Sequence, residues 1–104
     1  MKVCNAFSLN MLATLPAEVS VREIGLAEAR TLVAREFEPA VGHVDTAAIF
    51  SQQLGIPMPA SRVTVTLRKG ETILVGQYKG PRLPEGTTVL PAGVTIQWLL
   101  VTLK

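Results

Sequence analysis

Apolar and polar residues alternate with a period of two over Glu18-Val19-Ser20-Val21-Arg22-Glu23-Ile24, the pattern of a strand that buries one face. Lys2 to Ala6 is a short apolar run and reads as a buried strand. The period then changes. Apolar residues at Leu26, Ala29, Leu32, Val33 and Phe37 form a helical stripe, opened by Gly25 and closed by Pro39. A second helix is predicted over Val44 to Leu54, with Gly55-Ile56-Pro57 as its stop. Arg62-Val63-Thr64-Val65-Thr66-Leu67, which alternates, and Thr72 to Tyr78 flank Arg68-Lys69-Gly70-Glu71, which predicts a hairpin. Val94 to Leu103, containing Trp98, supplies a last strand. The order ββααβββ predicts an α/β (α+β) domain in which two main helices pack against a mixed five-stranded sheet.

Composition narrows what this layer can do. A chain of 104 residues that is 48% hydrophobic fits one domain spanning 1–104 with a real core. No apolar run approaches a membrane span, and the Met1-Lys2-Val3-Cys4-Asn5 start is unlike a signal peptide, so a cytoplasmic location is expected. Cys4 is the one cysteine; within an apolar run it is expected to be a buried, inert thiol. One His, one Cys and one Asp, Asp45, leave no Cys/His cluster for zinc and no Asp pair for two metals, so no metal and no cofactor is expected. Glu36 and Glu38, beside Pro39, read as the solvated end of a helix. A net charge of +2 suits a small anionic ligand better than long nucleic acid.

Within that inventory His43 stands out, because imidazole alone exchanges a proton near neutral pH without special surroundings. It sits in Gly42-His43-Val44-Asp45-Thr46-Ala47 at the start of the second helix. A second candidate is Gly80-Pro81-Arg82-Leu83-Pro84-Glu85-Gly86, where two prolines stiffen a loop that carries Arg82 and Glu85. Read alone, that loop is a rigid crossover whose exposed ion pair contributes under ~1 kcal/mol. A third is Asn5-Ala6-Phe7-Ser8-Leu9-Asn10, polar groups following the first strand, which alone is a turn capped by Ser8 and Asn10.

Together these segments and Gln77-Tyr78-Lys79 resemble the viral ring nucleases, a family first seen as archaeal-virus proteins that acts as anti-CRISPR proteins against type III systems. The resemblance implies a homodimer that binds cyclic tetra-adenylate and cuts it to linear di-adenylates. Residue by residue, it places His43 on the catalytic histidine and Glu85 on the assisting glutamate. Arg82, Ser8 and Asn10 fall on ligand-contacting positions, and Asn5, Arg62 and Gln77 are carried over on shorter motifs.

The chemistry agrees with the inventory. A ribose 2′-OH beside a phosphodiester is an internal nucleophile, so a strand is cut without metal or activated water if geometry is enforced. Arg82, and Arg62 with it, suits the charge growing on phosphorus, and His43 suits protonation of the departing 5′-oxygen. A helix start disfavours the imidazolium by ~0.3–1 kcal/mol. A carboxylate about 4 Å away would contribute on the order of 4 kcal/mol before desolvation, so Glu85 is expected to outweigh the dipole, or else to accept the 2′-OH proton. Phe7 is read as core, and Trp98 and Tyr78 as sheet packing or dimer interface. Two alternatives stay open: a module that sequesters a cyclic nucleotide without cutting it, and a structural or DNA-binding viral protein in which His43 only caps its helix.

Overall fold

The second helix forms over the residues expected of it. In the computed structural model, which describes residues 1–104, α2 spans Val44–Leu54 and buries Ala47, Ile49, Phe50 and Leu54. The first, α1, spans Leu26–Arg35 and ends two residues short of the apolar stripe, because Glu36 is already extended and leads into a strand. Around them run β1 (Lys2–Cys4), β2 (Val19–Ile24), β3 (Glu38–Pro39), β4 (Thr72–Lys79) and β5 (Thr95–Leu103). A short 3-10 turn covers Leu9–Met11.

The sheet is mixed and five-stranded, in the order β2-β5-β4-β1-β3. β5 is antiparallel to both β2 and β4, while β1 is parallel to both β4 and β3. The domain is α+β, as its periodicities imply, but one strand is not the one expected. Arg62 to Leu67 is no strand and forms no hairpin with β4, because β1 and β5 already occupy both edges of β4. Only Leu67 bridges, to Leu12. The fifth strand is instead Glu38–Pro39, read from sequence as a helix end. Pro39, which lacks an N–H, is tolerated there because β3 is an edge strand.

The alternation over 62–67 serves burial rather than pairing. Val65 and Leu67 join Cys4, Ile73, Val75, Val101 and Leu103 in a cluster on one sheet face, against which Phe7, Met11 and Leu12 pack. The other face carries the larger cluster, where Val3, Ile24, Leu74 and Trp98 meet the helices through Ala29, Val33, Ala47, Ile49, Phe50 and Leu54. Helices thus cover one face and irregular chain the other. Gly76 lets the helical layer sit close: a Cβ there would lie 2.5 Å from Phe50 and 2.7 Å from Trp98. Those two rings meet edge to face with centroids 5.0 Å apart. Cys4 is buried, and burial pushes its thiol pKa up, so the thiolate is suppressed at neutral pH.

Candidate functional site

At the N-terminus of α2 the backbone of His43 is extended, and its carbonyl accepts the Ala47 N–H at 2.9 Å, starting the helix. Its imidazole makes no capping hydrogen bond and is exposed, so the helix does not use the side chain. The imidazole opens onto a cleft of about 550 Å³ on the helical side of the sheet. Ile49, Phe50, Gly76 and Ile96 line its apolar part, while His43, Asn5, Tyr78, Arg82 and Glu85 are among its polar lining. Four residues singled out by sequence, from segments up to eighty positions apart, therefore share one concavity.

The loop that brings Arg82 and Glu85 there is tied down at several points. Tyr78 Oη donates to the Pro81 carbonyl, and the Pro84 carbonyl accepts both Thr87 Oγ1 at 2.6 Å and the Thr87 N–H at 3.2 Å. Gly86 takes φ of 86°, a conformation that favours glycine, and its N–H donates to Asp45 Oδ2 at 2.7 Å. Tyr78, expected to serve in sheet packing or a dimer interface, is a cleft residue and a loop anchor. Asp45, which residue type suggests only as a metal ligand, is the partner of Gly86; the signal for this is its place in the first turn of the helix that His43 opens.

Glu85 and His43 line the same cleft without forming the expected close pair. The one ion pair of the chain within 4.0 Å joins Arg22 to Glu28. Arg82 and Glu85 are exposed, with their charged ends open to a ligand.

The remaining candidates lie outside the cleft lining. Arg62 donates from Nε to the carbonyl of Gly42, the residue before His43, at 3.1 Å. Ser8 precedes the 3-10 turn and its hydroxyl donates to Asn10 Oδ1, both residues being exposed. Gln77 is exposed on β4 and, by strand alternation, points away from the face of Gly76 and Tyr78. No group of three or more His, Cys, Asp or Glu side chains could hold a metal ion.

A family profile described as STIV B116-like matches residues 1–93. In three dimensions the chain is similar to B116 of Sulfolobus turreted icosahedral virus, with a TM-score of 0.81 at 24% identity over 97% of each chain. No curated protein sequence matches it.

Proposed function

The chain belongs to the STIV B116-like family, a family of viral proteins, and from that premise we propose that it is a metal-independent ring nuclease. It binds cyclic tetra-adenylate, cuts it to linear di-adenylates, and so switches off type III CRISPR signalling as an anti-CRISPR protein. The observation that carries this reading is the convergence of His43, Arg82 and Glu85 on one cleft. Cleavage by a ribose 2′-OH is served by a general acid, a general base and a cation on the phosphate, roles that His43, Glu85 and Arg82 can fill.

In the proposed step the 2′-oxygen forms a bond to the adjacent phosphorus and the bond from phosphorus to the 5′-oxygen breaks, giving a 2′,3′-cyclic phosphate. Arg82 holds the non-bridging oxygens and offsets their growing charge. His43 donates its proton to the departing 5′-oxygen. Glu85, unpaired with His43 in the free chain, accepts the proton from the 2′-OH. The apolar floor of Ile49, Phe50 and Ile96 offers a surface for an adenine.

A ring of four identical nucleotides has two-fold symmetry, which a C₂ dimer matches with two equivalent sites and two cuts. Exposed apolar side chains support that assembly. Leu9 (76% exposed) lies between Ser8 and Asn10, Val44 (70%) follows His43, and Val63 (52%) follows Arg62. Apolar side chains so placed beside binding candidates favour burial against a second copy, which would bring Ser8, Asn10 and Arg62 to a shared ligand.

Two substitutions test the assignment. His43→Ala is expected to abolish cleavage and retain binding of cyclic tetra-adenylate, whereas Arg82→Ala weakens both, measured by product analysis and calorimetric titration. Cleavage by His43→Ala at the wild-type rate would contradict the mechanism. Long incubation of wild-type protein that leaves the ring bound and intact would point to sequestration instead.

A further inference from the structure

The helix that presents His43 and the loop that presents Arg82 and Glu85 belong to segments forty residues apart, and a single side chain hydrogen bond joins them. That bond runs from the Gly86 N–H to Asp45 Oδ2 at 2.7 Å. The other anchors of the loop, from Tyr78 and Thr87, lie within or directly beside it. They shape the loop, and Leu83 packs against the core cluster to which α2 contributes, so the Asp45 bond adds a directional tie at Gly86 to that apolar contact. Gly86 follows Glu85 directly, and Asp45 lies two residues after His43, so the bond ties together the backbones that carry the two groups. Asp45 and Glu85 both line the cleft beside Arg82.

We infer that Asp45 is a positioning residue: its carboxylate holds the 80–86 loop against the start of α2 and so sets the spacing of Arg82 and Glu85 from His43. This rests on the ring nuclease reading for its effect on rate. Three features fit the role. The acceptor sits in the first turn of an eleven-residue helix, where a short side chain has few ways to move. The donor is presented by a glycine at φ of 86°, a conformation in which other residues would be strained. The loop between its anchors holds Pro81 and Pro84, so a constraint at Gly86 is transmitted to Arg82 and Glu85 and is not absorbed by slack.

A negative charge at a helix start also favours the helix itself, and the two roles separate by substitution. Asp45→Asn removes the charge and keeps an oxygen acceptor for Gly86. Asp45→Ala removes both, and Asp45→Ser leaves a polar group too short to reach. Two readouts are needed: exchange of the Gly86 amide in the free protein, and single-turnover cleavage of cyclic tetra-adenylate. Asp45→Ala and Asp45→Ser are expected to speed Gly86 exchange and to slow cleavage by about tenfold or more, since small misplacements of reacting groups are costly. The amides of 48–54 should keep their protection, and Asp45→Asn should recover cleavage to within about threefold of wild type.

Wild-type cleavage rates in both Asp45→Ala and Asp45→Ser would overturn the inference, as would unchanged Gly86 exchange. A loss in Asp45→Asn equal to that in Asp45→Ala would assign the effect to charge and overturn it too. If Asp45→Ala fails to fold, Asp45→Ser and Asp45→Asn decide. A wild-type protein that cuts nothing overturns the nuclease reading and the rate claim with it, and the Gly86 exchange then reports on the hydrogen bond by itself.

Discussion

At the scale of single residues, the chemistry of this chain comes down to which side chains the fold leaves unused. His43 starts α2 with its backbone while its imidazole makes no cap hydrogen bond, which leaves it available for the proposed proton transfer. Cys4 is the opposite case. Its thiol pKa is raised by burial, against a smaller lowering by Lys2, so the folded state favours the protonated form. A raised folded pKa leaves stability intact below the unfolded value and erodes it above, so Cys4 is expected to lower stability as pH rises past its ordinary pKa of 9.0. Alkylation by iodoacetamide at neutral pH should be slow in folded protein and fast after unfolding; rapid modification of the folded chain would contradict the assignment of Cys4 to the core.

At the scale of elements, the cleft exists because α2 lies close on the sheet, and Gly76 makes that approach possible. Gly76→Ala forces Phe50 or Trp98 to shift and is expected to destabilise by about 1–3 kcal/mol, the usual cost of overpacking, read from denaturant melts. Unchanged stability would mean that the rings move freely. The same register explains what was legible beforehand. α2 was readable residue for residue, since its stripe and its Gly55-Ile56-Pro57 stop agree, and β2 and β5 form within one residue of the segments expected of them. Arg62 to Leu67 was not, because alternation reports burial of one side and is silent about whether a strand partner is free. Glu38–Pro39 carried no strand pattern at all; a two-residue edge strand is decided by the parallel partner β1.

At the scale of the whole molecule, several of the polar residues of the cleft are legible in sequence and the fold adds the others. His43, Arg82, Glu85 and Asn5 were identifiable from their segments and do share a cleft. Asp45 and Tyr78 were missed because both act through contacts made between loop and scaffold, which residue type does not reveal. Ser8 and Asn10 lie outside the cleft of one copy, so a complete site is expected only when two copies meet around a two-fold ligand. In the proposed mechanism the assembled site cuts the ring by internal attack, without metal. Excess protein incubated with cyclic tetra-adenylate in EDTA, followed by mass analysis, tests it most directly. Complete conversion to linear di-adenylates is expected, and a ring recovered intact would rule the nuclease out.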